Sequence, residues 1–452
     1  MRRGQKNHHH FAEEAIKKNI MIEDKELEKV NLARLTKREA VFTRLDVTLG
    51  KEATNELRKL YATYDERLYI WLAGLWNADI GGFYYSNSAR DNEEFLPDVE
   101  STAQVWYFAT LSKMFDHVGG WQNALPESIK TKMLDFVIGL QSSDDGFFYH
   151  KQWGSDIPLS RRGRDLQWST GIIEKLGAKP LYDTPNGKLG SIGAPESAKI
   201  THKGESKNAA SPEHLRSLSA FREYLNALDL KNNSYSVGNL LNSQSGQIKA
   251  AGDDFCKLLA DHLASNQNPK SGVFSDTLDH LAINGLMKNA ELLVRLGYPI
   301  PRGNEAIKSV IEMTLETTVS PPSMNHVCSI YNCWVLIHLL IKNAKETEGE
   351  VRAAELRKIV YERAPELIAV TAKKMEMFRK PDGGFSFGPR SSCPTSQGVP
   401  VAIPGSAESD VNATILLSGG TLSHINAVFE ADDLCLYCKE DGDLFLSLLS
   451  KN

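Results

Sequence analysis

The sequence predicts an all-α protein assembled from six copies of one helix-pair unit, and three observations carry that prediction. One phrase recurs along the chain: a Gly-Phe turn, a polar loop, then a helix that opens on Asp and small hydroxyl residues. Apolar residues fall at helical spacing through most of the 452 residues. Strand-like alternation is sparse and short.

The phrase first reads Gly81-Gly82-Phe83-Tyr84-Tyr85, followed by Asp98-Val99-Glu100-Ser101-Thr102. It returns as Asp144-Asp145-Gly146-Phe147-Phe148 with Asp165-Leu166-Gln167-Trp168-Ser169-Thr170. A looser copy is Ser271-Gly272-Val273-Phe274 with Asp279-His280 and Asn284-Gly285. The last is Asp382-Gly383-Gly384-Phe385 with Asp410-Val411-Asn412-Ala413-Thr414. Phe83 and Phe147 are 64 positions apart, Phe147 and Phe274 are 127, and Phe274 and Phe385 are 111. Degenerate units are therefore expected near 210–240 and 325, with helix starts at Ser211-Pro212-Glu213-His214 and Ser323-Met324-Asn325-His326.

Taken in order, Phe11 to Tyr64 is charged, poor in glycine and helix-forming, which predicts an N-terminal helical extension (1–64) packed on the main body (65–452). Asp65 to Ala78 carries Leu68, Trp71, Leu72 and Leu75 at helical spacing. Pro126-Glu127 opens a helix with Met133, Phe136, Val137 and Leu140 on one face. Leu278 to Leu296, Asn325 to Lys342 and Val351 to Phe378 read as further long helices. Two long loops, 183–210 and 388–409, are expected as lids or mobile insertions.

Gln141-Ser142-Ser143-Asp144-Asp145-Gly146-Phe147 and Lys380-Pro381-Asp382-Gly383-Gly384-Phe385 resemble the Q-x-x-D-G-G-F/W repeat of the squalene cyclase and protein prenyltransferase superfamily. The resemblance implies an (α/α)6 toroid over 65–452, in which six inner and six outer helices alternate around a funnel. The same toroid occurs in polysaccharide lyases and intracellular glycoside hydrolases, so it implies architecture more than activity. If the helices close into a ring, the starts at Asp98, Asp165, Glu213, Asp279, Asn325 or His326, and Asp410 converge on one end of the funnel.

Composition narrows the class. Hydrophobic residues are 41% and charged residues 24%, as in a soluble globular chain. A net charge of −5 without a basic stripe excludes a dedicated nucleic-acid binder. The most apolar helix, Ile330 to Ile341, is too short to span a bilayer and is interrupted by Asn332 and His338. Met1-Arg2-Arg3-Gly4 leads into a polar segment, and six scattered cysteines lack a disulfide framework, so a cytoplasmic location is expected. His8-His9-His10 reads as a solvated tail or a metal-binding tract, and the lone Cys435/Cys438 pair falls short of a metal site. No metal or cofactor is expected, and oligomeric state stays open.

Asp at a helix start serves first as an N-cap. Several acids around one cavity also perturb one another, and glycoside hydrolysis requires two carboxylates. The catalytic candidates are Asp98 or Glu100 paired with Asp410, or with Glu408. Uronate β-elimination instead requires a neutralised carboxylate, a base and an acid, which suits His326 and Tyr331 beside Asn325. Substrate-binding candidates are Tyr84, Tyr85, Trp106, Arg164, Asp165, Trp168, Tyr235, Asp279, His280 and Asn325. Arg161, Arg162 and Arg164 suit an anionic group.

The acidic D-x-D-D run of the cyclases is missing, and Ser275-Asp276-Thr277 lacks the prenyltransferase cysteine. The favoured expectation is an enzyme that cleaves glycosidic bonds in a small or oligomeric saccharide substrate, as a hydrolase or a lyase. An isoprenoid enzyme and a non-catalytic binding toroid are the alternatives.

Overall fold

The computed structural model describes residues 24–197 and 212–451. The His8-His9-His10 run, Ser211 and the latter part of the 183–210 loop lie outside these residues. Among the described residues the chain is predominantly helical, with two small two-stranded antiparallel sheets. No helix among them is long and apolar enough to cross a membrane.

The chain begins with α1 (Asp24–Leu45), α2 (Lys51–Ala62) and α3 (Arg67–Ala73). A short hairpin follows, β1 (Trp76–Asn77) with β2 (Gly82–Phe83), and leads to α4 (Val99–Leu111), α5 (Glu127–Ile138) and α6 (Leu159–Lys175). After the undescribed gap come α7 (Leu218–Ala227), α8 (Leu230–Ala251), α9 (Asp253–Asn266), α10 (His280–Leu296) and α11 (Gly303–Leu315). They are followed by α12 (Cys328–Thr347), α13 (Glu350–Tyr361) and α14 (Ala364–Glu376). A second hairpin, β3 (Thr395–Ser396) with β4 (Val399–Pro400), precedes α15 (Val411–Thr414). That helix runs through a π-helical segment, Ile415–Thr421, into α16 (Leu422–Val428), and α17 (Lys439–Lys451) closes the chain.

The recurring phrase has a physical cause. Gly81, Gly146, Gly272 and Gly383 all have positive φ, a conformation open to glycine without strain. A side chain there would also collide with a neighbouring element: a Cβ on Gly81 would lie 2.3 Å from the Lys132 carbonyl of α5, one on Gly272 2.6 Å from the Ala306 nitrogen of α11, and one on Gly383 2.9 Å from the Leu68 nitrogen of α3. The aromatic that follows drops into the core; Phe83 and Phe385 are fully buried. Each is tied to the helix start after it. The amides of Asp98 and Asp410 donate to the carbonyls of Phe83 and Phe385. The amides of those phenylalanines donate to Thr102 Oγ1 at 2.9 Å and Thr414 Oγ1 at 3.0 Å.

Lateral packing follows the helices that these turns introduce. α6 lies against α4, α4 against the π-helical segment, that segment against α12, α12 against α10, and α10 against α8. A second layer backs them: α5 on α6, α9 on α8, and both α11 and α13 on α12. α14 bridges α11 to α2, and α17 bridges α1 to α3. One hydrophobic cluster runs continuously from Val30 in α1 to Leu449 in α17. α1 is further clamped by an ion pair from Arg34 to Asp441, and by Arg38 donating to the carbonyls of Tyr61 and Leu436.

Several expected helix boundaries move. Asp165 does not open its helix: α6 begins at Leu159, and the carboxylate sits in its second turn. Glu213 begins only a single 3₁₀ turn, Glu213–Leu215, while Asp229 caps the long α8. Asn325 and His326 follow another 3₁₀ turn, Pro322–Met324, and α12 starts at Cys328. The stretch Val351 to Phe378 divides into α13 and α14, the second carrying a proline in its first turn, where no amide partner is lost.

Gly81→Ala combines positive φ with a backbone collision, so it is expected to lower unfolding free energy by about 2–4 kcal/mol. Gly246→Ala, in α8 where a Cβ meets nothing within 4 Å, should instead be neutral or stabilising by up to about 1 kcal/mol. Urea unfolding of the two variants beside wild type checks both signs.

Candidate functional site

Asp98 caps α4, taking hydrogen bonds from the Ser101 amide at 3.0 Å and the Ser101 hydroxyl at 2.7 Å. Two residues on, Glu100 lies on the same first turn. Arg161, one turn before Asp165 on α6, reaches across to both. Its Nη2 is 3.1 Å from Asp98 Oδ1, its Nη1 is 2.9 Å from Glu100 Oε2, and its Nε is 3.0 Å from Asp165 Oδ2. Arg161 is fully buried, and its guanidinium lies over the Trp153 ring, 4.5 Å from the ring centroid.

Arg164, more than a third exposed, contributes a second cation to Glu100 at 3.1 Å. Three buried carboxyl groups thus share two arginines. Burial pushes the Asp165 carboxyl up to about 7, and Asp98 and Glu100 add to the rise against the pull of Arg161. His150 takes a hydrogen bond from the Val99 amide at 3.3 Å, and burial lowers its pKa to about 4, so the ring is neutral at pH 7.

Asp410 caps α15 beside this group. Its oxygens take hydrogen bonds from the Ala413 amide at 2.8 Å, the Phe387 amide at 2.7 Å and the Tyr85 hydroxyl at 3.1 Å. It is wholly buried, which pushes its carboxyl up to about 6. Gln104 of α4 links the two helix starts, reaching Glu100 at 3.3 Å and Asn412 at 3.1 Å.

The second hairpin sits over these acids. Ser396 of β3 donates to Glu100 Oε2 at 2.9 Å, and the Trp153 indole donates to the Pro400 carbonyl at 3.1 Å. Val399, Val401 and Ala402 pack with Tyr85 and Ile157 in a small cluster separate from the main core. Glu408 is occupied elsewhere, holding the Ser88 amide at 2.7 Å and the Ser88 hydroxyl at 2.5 Å.

A second group lies among α4, α10, α12 and α16. The rings of Tyr331 and His424 are 5.7 Å apart, and His338 Nδ1 is 2.8 Å from His424 Nδ1. Burial raises the Tyr331 phenol, with Tyr107 and Glu291 adding to the rise. Burial and the neighbouring His338 lower His424 to about 3.

The remaining candidates scatter. His326 stacks on Phe387 at 5.0 Å rather than meeting Tyr331, and Asn325 is exposed. Tyr84 accepts from Asn77 at 3.0 Å within the first hairpin. Trp106 is buried and stacked on Trp121 at 4.9 Å, while Trp168 lies on α6 across from it. Tyr235 and Asp279 line a separate cleft of about 260 Å³ with Asn232 and Asn233. His280 is buried with neither ring nitrogen hydrogen-bonded among the described residues.

Sequence reasoning missed the central role of Arg161, and it missed His150, Ser396, His338 and His424. Only the first left a local signal, the four-residue spacing of Arg161 and Asp165. No group of three or more His, Cys, Asp or Glu side chains among the described residues is placed to hold a metal ion. Comparison of the chain with protein-family models, curated proteins and solved structures found no match.

Arg161→Leu leaves the buried carboxylates without their shared partner and should cost about 3–5 kcal/mol at pH 7. The sign with pH follows from Asp165. Its folded pKa lies above the ordinary 3.8, so the stability it adds is complete below about 4 and is lost as pH rises through about 7. Removing Arg161 takes away the pull that lowers the Asp165 carboxyl and so raises its folded pKa further, and the deficit should shrink as pH falls from 7 to 5. Denaturant unfolding of both proteins at pH 5, 6 and 7 measures this, and a deficit that grows on acidification would contradict it.

Proposed function

We propose that residues 65–452 form an (α/α)6 toroid and that the chain cleaves a glycosidic bond at the end of the helices where α4, α6 and α15 begin. The observation that carries the reading is the pair of unlike carboxyls on one guanidinium. Glu100 has its charge matched by Arg161 and Arg164, while Asp165 is pushed toward neutrality. Glycoside hydrolysis uses two such groups, one protonated as acid and one charged as base or nucleophile. Asp410, with its oxygens occupied by two amides and a phenol, is better suited to holding α15 than to meeting a substrate.

The toroid is supported by the repeated turn and by the lateral order of α6, α4, the π-helical segment, α12, α10 and α8. Access to Glu100 requires the Thr395–Pro400 hairpin to lift, which exchanges the Ser396 hydroxyl for a hydroxyl of the substrate. The hairpin is suited to that exchange. Its turn residues, Gln397 and Gly398, both have positive φ, so it closes on itself as a tight two-residue hairpin.

One observation favours elimination as a second reading. Tyr331, His338 and His424 place a phenol beside two imidazoles that burial keeps neutral, as a base and an acid for uronate elimination would need. The polar character of this group, with Glu291 near it, disfavours an apolar isoprenoid chamber.

The test is turnover of neutral and uronate-containing oligosaccharides by the purified full-length chain, following new reducing ends and the ultraviolet absorbance of unsaturated products. Hydrolysis predicts reducing ends without absorbance, reduced by about 10²–10⁴-fold in Glu100→Gln. Elimination predicts absorbance that survives Glu100→Gln and is lost in His424→Gln and Tyr331→Phe. A folded protein inert toward the whole panel would sink both.

A further inference from the structure

On α4, residues 103, 106, 107 and 110 fall on one helical face; on α6, residues 168, 171, 172 and 175 do the same. The two faces oppose each other. Because Ala103 and Gly171 contribute almost no bulk, they leave a slot of about 160 Å³ between the helices. Its remaining walls are mostly aromatic: Trp106, Tyr107 and Trp168, with Trp121 behind Trp106 and Lys175 at the edge. The slot runs toward the C-terminal ends of both helices, about one to three turns from Glu100 at the start of α4.

One feature of the slot is not explained by folding. Gly171 lies inside α6 with ordinary helical backbone, and a Cβ there would meet nothing within 4 Å. Neither strain nor crowding calls for glycine, which makes a helix interior less stable than alanine does.

We propose that this slot binds a planar, single-ring aromatic acid. A cavity of about 150 Å³ with apolar walls accepts benzene, so the size fits one ring and a small substituent. Indole and phenol walls favour stacked or edge-on contacts with such a ring. The polar supply selects against a sugar in this slot. A pyranose brings several hydroxyl groups, each costly to bury without a partner. Here the Thr110 hydroxyl is already spent on the Trp106 carbonyl at 3.1 Å. What remains is the Tyr107 hydroxyl and the Lys175 ammonium, which makes no ion pair among the described residues. That set matches a ligand with one or two acceptor atoms and a negative charge.

The site stands apart from the proposed glycosidic chemistry and is tested without it. Benzoate and its uncharged counterpart benzyl alcohol serve as probes, titrated into the full-length protein by calorimetry and by saturation-transfer NMR. Benzoate should bind wild type and Glu100→Gln equally. Gly171→Leu fills the slot while improving helix propensity, and should weaken benzoate at least about tenfold. Trp168→Ala, which removes a wall instead of filling the space, should do the same.

Lys175→Met should weaken benzoate by about twofold to fivefold and leave benzyl alcohol unchanged. Circular dichroism melts confirm that each variant is folded. No benzoate binding to wild type at about 10 mM would overturn the proposal. So would equal binding by wild type and either folded slot variant.

Discussion

Everything in this protein hangs on the turn in which a glycine at positive φ presents an aromatic ring to the core. The geometry leaves no room for alternatives at Gly81, Gly272 or Gly383, because the backbone of a neighbouring helix lies against the bare Cα. Once the turn forms, the phenylalanine backbone is bonded both to the amide of the capping aspartate and to the threonine hydroxyl one turn later. At Phe83 and Phe385 the turn, the core ring and the helix start are therefore tied into one piece. The position of each acidic helix start follows from that piece.

Asp98 and Glu100 ride on α4 and Asp410 rides on α15, so the turns bring acids together whether or not electrostatics favours it. Arg161 makes the result tolerable. A single guanidinium with three donor nitrogens directed at three carboxylates is a geometry that arginine's planar fork allows and lysine's point charge does not. The compensation is incomplete: burial raises the Asp165 carboxyl, and Asp98 and Glu100 add to the rise. An arrangement of this kind costs stability when viewed as structure alone. A carboxyl raised by burial beside others held by arginine is also a feature that acid–base chemistry uses.

The cover over these acids has a different character from the core. Its apolar contacts form a small cluster of their own, centred on Val399, Val401, Ala402, Tyr85 and Ile157. Ser396 and Pro400 contribute one polar contact each to the body. The hairpin is thus tied to Tyr85 and Ile157 rather than to the continuous core that the helices share. The fully packed helices beneath it keep Arg161 and its partners in register.

The helical class, the positive-φ glycines and the caps at Asp98, Asp279 and Asp410 were legible from residue order, because each depends on a turn and the few residues beside it. The spacing of Arg161 and Asp165 carried a local signal too, unread because the expected helix began at Asp165 rather than at Leu159. Boundaries misread were those where a short 3₁₀ turn or an early proline displaced the start, as before α12 and α14. Tertiary structure alone decided that Arg161 joins acids 61 and 63 residues away, that Tyr331 meets His424 rather than His326, and that Ser396 closes over Glu100. Local chemistry specifies how a turn bends and where a helix begins. Which side chains then share a guanidinium or a slot depends on how separate helices are stacked, and no spacing along one helix encodes that.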